Sequence, residues 1–334
     1  RKIWAKVLES RKNIGLPYIL WEDNVNNNKP DVYSHTRITN SNLCTEILLP
    51  TSDMETFVCD LSSLNLLRVD EWIDTDAVAV LVQFLDAVMT DFIDKASKIP
   101  YFDKAVNFAR NHRALGVGVL GWHSYLQSKM IAIESQEAYD LNDNIFKTIR
   151  DQAYEESGRL CDKFGPPEGY PELPRRNTTL MAIAPTTSSS FILGQVSQSV
   201  EPLRSNYYVK DLAKTKTTYR NPFLQRLLSD KGMDTATIWR SILEHDGSVQ
   251  HLEGLTEQEK KVFKTFSEIS QMDLIRQAAD RQQYIDQGQS LNVMIHPNTP
   301  TKDINKLYID AWGLGIKTLY YQHSINAAQE FNRE

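Results

Sequence analysis

A chain of 334 residues, 41% apolar and 24% charged, has the composition of a globular protein long enough for one large or two medium domains. Its net charge of −6 argues against a nucleic-acid polymer as partner, because gripping a phosphate backbone needs a basic face; a nucleotide stays open, since a few local groups can hold one. The most apolar stretch, Ala77 to Met89, is broken by Gln83 and Asp86 and followed by Asp91, so it is too short and too polar to span a bilayer.

In chain order, the sequence opens at Arg1 inside a helical pattern (Ile3, Val7, Leu8) with no initiator Met, and the N-terminus reads as cut or split. Asn42, Cys44 and Glu46 then place an amide, a thiol and a carboxylate at i, i+2 and i+4. If that segment is extended, alternate side chains share a face and all three point at one substrate. A thiol in such company suits nucleophilic or radical chemistry. Cys59 lies in a β-prone run, where a lone cysteine ordinarily serves as a small hydrophobe. The stretch from Ala77 to Met89 reads as a buried helix.

Helical spacing of Ile145, Phe146, Ile149, Ala153, Leu160, Cys161 and Phe164 runs until Gly165-Pro166-Pro167 stops it, which makes Cys161 a core thiol. An apolar run, Leu180 to Ile183, leads into Ala184-Pro185-Thr186-Thr187-Ser188-Ser189-Ser190. A strand entering a hydroxyl-rich turn that opens a helix offers free N–H groups, hydroxyls and a positive dipole end, which suit a diphosphate without lysine. The same cluster also fits an N-cap or a solvated loop. Thr301 is expected to cap a helix carrying Ile304, Leu307, Tyr308, Ala311 and Trp312, after which Ile316 to Tyr321 is β-prone. Tyr320 and Tyr321 would then sit on a rigid element, either as the two faces of a strand or as phenols that pass an electron and a proton together. Trp122 and Trp312 read as packing residues. Strands alternating with helices favour an α/β architecture. Three cysteines without a secretory leader point to a reducing compartment, and the scattered histidines form no metal-ligand pattern, so no metal is expected on this chain.

Taken together, Ser41-Asn42-Leu43-Cys44-Thr45-Glu46-Ile47 resembles the finger loop of the large subunit of aerobic (class I) ribonucleoside-diphosphate reductases. Further segments carry the likeness in the same order: Val58 to Leu66 around Cys59, the Pro185 to Ser189 turn, Val200-Glu201-Pro202 with Ser205-Asn206, Ala278 to Asn292, and Lys317-Thr318-Leu319-Tyr320-Tyr321. The resemblance covers nearly the whole chain. It implies that residues 1–334 form the C-terminal half of a ten-stranded α/β barrel, with Cys44 on a finger loop inside it. By the same resemblance, Cys44 acts as the thiyl radical that takes and returns the ribose 3′-hydrogen, Glu46 accepts the 3′-OH proton and Asn42 orients the sugar. Cys59 and a second cysteine supply two electrons and end as a disulfide. Pro185, Thr186, Thr187, Ser188 and Ser189 hold substrate phosphate, and Tyr320 and Tyr321 relay the radical, which requires the Cys44 sulfur to lie near the Tyr320 phenol.

The resemblance also implies no cofactor on this chain: a metal-containing small subunit supplies the radical and an external dithiol, thioredoxin or glutaredoxin, supplies electrons. The partners implied are a ribonucleoside diphosphate, that small subunit and, if the large subunit is split, its N-terminal half, in a dimeric holoenzyme with neither nucleic-acid polymer nor membrane. The location implied is the cytoplasm of a cell or of a virus-infected host. Two departures stand out, because the partner redox cysteine with the effector loops, and the C-terminal cysteine pair, have no counterpart here; the chain is expected to be truncated or split and inactive alone. Three other readings are a glycyl-radical or cobalamin relative, against which the tyrosine pair speaks, a non-catalytic remnant that binds a partner, and a Cys-Glu hydrolase, which lacks a histidine near Cys44 in sequence.

Overall fold

In a computed structural model, residues 1–212 and 215–324 are described. Strand segments among them are short: β1 (Ile19–Leu20), β2 (Leu61–Asn65), β3 (Gly116–Leu120), β4 (Tyr207–Leu212), β5 (Thr215–Arg220), β6 (Val293–Met294), β7 (Thr318–Leu319) and β8 (Gln322–His323). β2 and β3 run parallel over five residue pairs. Parallel bridges Val117 to Met181 and Ile183 to Gln289 add two more segments, and β6 pairs in parallel with β8. Five parallel segments, near residues 61–65, 116–120, 180–183, 287–294 and 318–323, therefore stand side by side. Antiparallel β1, paired with β7, closes the far edge. This is the half-barrel of an α/β fold, as the sequence leads one to expect.

All five residues of β3 are buried, which suits a parallel strand covered on both faces. Gly118 is needed there: a Cβ at that position would come within 2.4 Å of the Ala182 carbonyl, so a side chain would push the neighbouring segment away. Outside the strands, helix Ala77–Ala96 packs on helix Gln136–Phe164. Val78, Val82, Leu85 and Met89 meet Ile145, Phe146, Ile149 and Ala153 together with Val117 and Val119 of β3 in one apolar cluster. A second cluster joins Leu8 of helix Lys2–Ile14 to Ile304, Tyr308 and Leu319, and so ties the start of the chain to the tyrosine segment. Beyond the β4–β5 hairpin, the helices Pro222–Asp230, Ala236–Glu244 and Glu257–Val262 surround Trp239 and Phe263. No helix among the described residues is long and apolar enough to cross a membrane.

Four local expectations change. The apolar helix is not buried all round, because Val80, Phe84 and Val88 recur at i, i+4 and i+8 on its exposed side. Polar Asp86 is buried on the same side as the apolar Val78, Val82, Leu85 and Met89, held there by Arg113 and Arg176 at 2.9 Å each, so its charge enters the core paired. Cys161 is half-buried at the margin of its stripe, its thiol on the Leu173 carbonyl at 3.6 Å, and Phe164 is exposed. Thr301 caps nothing: it is the first residue of helix Thr301–Gly313, and extended Pro300 occupies the cap position, its carbonyl accepting from Asp303 N. Trp312 of that helix is exposed, its indole N–H on Asp23, whereas Trp122 is fully buried and donates to Gln277.

Candidate active site

Residues 42–46 form a tight turn and not an extended row. Thr45 N donates to the Asn42 carbonyl at 3.2 Å, Asn42 N donates to the Ile47 carbonyl at 3.2 Å, and Asn42 Oδ1 accepts from Ile47 N at 3.0 Å. Thr45 takes φ 69°, a left-handed conformation that breaks the alternation of an extended chain. Leu43 stands exposed at the crest, Cys44 is half-buried beside it, and Thr45 and Glu46 are buried. The expected grouping of thiol and carboxylate survives, but it arises from curvature. Asn42 spends its side-chain carbonyl on closing the turn, which leaves its amide N–H groups for other work.

Hydrogen bonds sew this turn to two barrel segments. Gly288 N donates to the Glu46 carbonyl at 2.7 Å, Leu48 N donates to Gln287 Oε1 at 2.7 Å, and Thr318 Oγ1 donates to the Thr45 carbonyl at 3.0 Å. Ser290 Oγ lies 2.6 Å from the Cys44 carbonyl and 3.0 Å from Glu46 Oε2. Beneath, the fully buried Lys317 ammonium donates to the carbonyls of Asp286 and Gln287; burial pulls it down to about 8, and the Asp286 charge partly opposes this. Asp286 in turn accepts from Leu180 N, Met181 N and the Tyr154 hydroxyl. Burial raises the Asp286 carboxyl, and these donors partly offset the rise.

At the turn's open side the Tyr320 hydroxyl donates to Cys44 Sγ at 3.6 Å, across 276 positions of chain. Burial raises the Cys44 thiol, opposed by the Tyr320 hydrogen bond and aided by the Glu46 charge. Burial also raises the Tyr320 phenol, with its bond to Cys44 adding to the effect. Tyr320 and Tyr321 fall in the break between β7 and β8, where the strand changes partner from β1 to β6. Their ring centroids lie 4.5 Å apart, so they are neighbours and not the two faces of a sheet. The backbone there is fixed by Tyr320 N on the Leu291 carbonyl, Tyr321 N on Asn292 Oδ1, and buried Arg11 on the Tyr320 carbonyl.

A third phenol was not foreseen from sequence. Tyr18, next to β1, has its ring 4.6 Å from Tyr320 and 5.0 Å from Tyr321. Burial and its side-chain hydrogen bond to Tyr321 raise its hydroxyl above the usual phenol range. The run Tyr18-Ile19-Leu20 is β-prone, but only the β1–β7 pairing, some three hundred positions away, brings it here.

Cys59 stands immediately before β2 and is exposed as a residue, yet crowding around its sulfur pushes the thiol up to about 11, with the charges of Glu46 and Cys44 adding to the rise. Those two groups are therefore its electrostatic neighbours. The hydroxyl-rich turn opens helix Thr187–Ile192 as expected, with Thr186 at φ 54°. The Thr186 hydroxyl is spent on Ser199 N at 2.8 Å, and Ser190 N closes the first helical bond onto the Thr186 carbonyl. The amides of Thr187, Ser188 and Ser189 are left without an intrahelical acceptor.

A cleft of about 1030 Å³ joins this turn to the tyrosines; Pro185, Thr187 and Ser190 line one end, and Tyr320 and Tyr321 the other. Ser188 and Ser189 are exposed beside it, and Cys44 reaches it through Tyr320. In its wall the buried Glu201 carboxyl is pushed up to about 7, by burial first, and Asn292 bridges it to Tyr321 N. Arg204 Nη2 lies 2.8 Å from His323 Nε2. No group of three or more His, Cys, Asp or Glu among the described residues is arranged to hold a metal ion.

The family described as "Ribonucleotide reductase, barrel domain" matches residues 1–176 and 172–322. A "Ribonucleoside-diphosphate reductase large subunit" of Invertebrate iridescent virus 3 is 42% identical over 329 residues, covering 97% of this chain and 52% of the viral protein. A "Putative ribonucleoside-diphosphate reductase large subunit" of Frog virus 3 is 39% identical, covering 96% and 57%. Among solved structures, the "Actinobacillus ureae class Id ribonucleotide reductase alpha subunit" superposes with a TM-score of 0.93 at 56% identity, covering 98% of this chain and 62% of that one. The chain thus spans about half the length of the curated relatives it matches. On the parallel half-barrel, the turn carried within it and these matches, the chain belongs to the ribonucleotide reductase barrel-domain family, in the large subunit of class I enzymes.

Proposed function

We propose that this chain is the catalytic portion of a large subunit that reduces ribonucleoside diphosphates to 2′-deoxyribonucleoside diphosphates by thiyl-radical chemistry. The observation that carries the reading is the Tyr320 hydroxyl on Cys44 Sγ at 3.6 Å, with Glu46 on the same turn. A small subunit whose metal centre generates the oxidising equivalent delivers it on the Tyr321 side. A phenol near its ordinary pKa of about 10 must lose a proton with its electron at neutral pH, and burial of Tyr320 strengthens that demand. Tyrosyl Tyr320 then takes the hydrogen atom of the Cys44 S–H, which leaves a phenol and a thiyl radical.

The thiyl removes the ribose 3′-hydrogen while Glu46 accepts the 3′-OH proton and Asn42 donates to the sugar. With the radical at C3′, the 2′-OH departs as water after protonation by a thiol. Cys59 and a second thiol supply two electrons and join as a disulfide, after which Cys44 returns the hydrogen atom. By the family resemblance, the second thiol lies on another segment of the large subunit. An external dithiol, thioredoxin or glutaredoxin, reopens the disulfide, which suits the reducing cytoplasm of a cell or infected host. Pro185, Thr186, Thr187, Ser188 and Ser189 hold the diphosphate: the free amides of the helix start and the hydroxyls beside them face negative charge without any lysine.

The test is CDP reduction by the holoenzyme assembled with the small subunit and any further large-subunit polypeptide that turnover requires. Cys44→Ser is expected to abolish turnover while nucleotide binding persists; undiminished turnover would defeat the reading.

A further inference from the structure

We propose that Ser290 is a positioning residue that couples the protonation state of Glu46 to the backbone of Cys44. This rests on the reading of Glu46 as the base. The Ser290 hydroxyl is buried and lies within reach of two acceptors at once, the Cys44 carbonyl at 2.6 Å and Glu46 Oε2 at 3.0 Å. A serine carries one hydroxyl proton, so it cannot fully satisfy both. While Glu46 is a carboxylate, its charge competes for that proton against the neutral carbonyl. Once Glu46 has taken a proton, its O–H donates to Ser290 Oγ, and the serine turns its own proton wholly to the Cys44 carbonyl. No covalent bond to Ser290 changes; its proton stays on its oxygen and the acquired proton stays on Glu46. The radical-bearing residue is therefore held less firmly before the substrate is deprotonated and more firmly after.

The surroundings leave the hydroxyl as the moving part. Ser290 N is fixed on the Ile183 carbonyl at 2.8 Å, and the preceding Gln289 is held by buried Arg281 on its side chain. The nearby hydroxyl of Thr45 is buried without a hydrogen-bond partner, so it does not share this task. The titratable groups that face Glu46 are Cys44 on its own turn and Cys59 ahead of β2, with Tyr320 beyond Cys44. On the strand side Gly288 and Ser290 carry no charge, and the Lys317 ammonium lies under the carbonyls of Asp286 and Gln287.

The experiment follows 3′-hydrogen abstraction against pH in the assembled holoenzyme, read with 3′-deuterated CDP. Ser290→Ala is expected to slow this step by roughly tenfold or more, to leave KM within about twofold, and to move the acid limb of the profile upward, because the carboxylate loses a donor. Ser290→Thr, which keeps the hydroxyl, is expected to restore both rate and limb. A slowed Ser290→Ala enzyme with an unmoved acid limb, or a Ser290→Ala enzyme that matches the parent, overturns the proposal. Should Ser290→Ala fail to fold, Ser290→Cys, a weaker donor, must move the limb in the same direction, and an unmoved limb overturns the proposal equally. Glu46→Gln separates the two levels: if it retains abstraction, the base reading fails; if it abolishes abstraction while the Ser290 variants leave the limb in place, only the coupling fails.

Discussion

The helical layer and the catalytic turn are held by opposite means. Helices Ala77–Ala96 and Gln136–Phe164 adhere through apolar side chains at helical spacing, a non-directional attraction proportional to area. Residues 42–46 are fixed instead by directional hydrogen bonds to residues 288, 290 and 318, more than two hundred positions away. Damage to the first region should therefore cost stability and spare chemistry, and damage to the second should do the reverse.

The largest expected effect that probes this contrast is Leu85→Ala in the buried helix face. Removing that side chain loses transfer energy and leaves a cavity, together about 2–5 kcal/mol of unfolding free energy. Turnover per folded molecule should stay within about twofold of the parent, a margin well under the tenfold that 1.4 kcal/mol of barrier represents. Chemical denaturation and CDP reduction on one preparation would decide it, and a large loss of turnover would erase the contrast.

A pH-dependent effect concerns His123, fully buried with Leu203 N donating to its Nδ1. Burial pulls it from 6.5 down to about 3, so the folded chain keeps it neutral where the unfolded chain takes up a proton. Its contribution is fully present above the unfolded pKa and is lost as pH falls from 6.5 toward the folded value of about 3. The expected slope is at most about 1.4 kcal/mol per pH unit. Unfolding free energies of the parent and of His123→Asn across that window should converge as pH falls; parallel curves would remove the histidine from the account.

The smallest effect sharpens the comparison inside the site. Tyr18→Phe keeps the ring beside Tyr320 and Tyr321 but deletes the hydroxyl that hydrogen-bonds both, so about 1 kcal/mol of hydrogen bonding is at stake. Turnover should fall about fivefold with the melting midpoint nearly unchanged. An unaltered rate would mean that the third phenol only packs.

What could be read from the sequence divides along the same line. Helical spacing from Ile145 to Phe164 revealed the later two thirds of the Gln136–Phe164 helix and its stop at Gly165, because local periodicity encodes a buried stripe. The Ala77–Met89 stretch was expected to be buried, yet Val80, Phe84 and Val88 are exposed while Asp86 is buried against Arg113 and Arg176, and the cap at Thr301 failed because Pro300 occupies that position. Cys44, Glu46 and the tyrosine pair were singled out as candidates and Cys44 was expected on a loop, yet the shared face was argued from an extended segment, since nothing local announces the positive φ of Thr45. Tyr18 left no trace, and Ser290 figured only within the Ala278 to Asn292 segment, with no role of its own. Each matters only through a partner brought in by strand pairing, which a single sequence does not display.

The direct measurement is CDP reduction by the assembled holoenzyme carrying Tyr320→Phe, with nucleotide binding and melting midpoint taken on the same preparation. Phenylalanine keeps the ring and lacks the O–H that meets Cys44 Sγ at 3.6 Å. The account predicts undetectable turnover with binding and midpoint retained. Turnover comparable to the parent would contradict it.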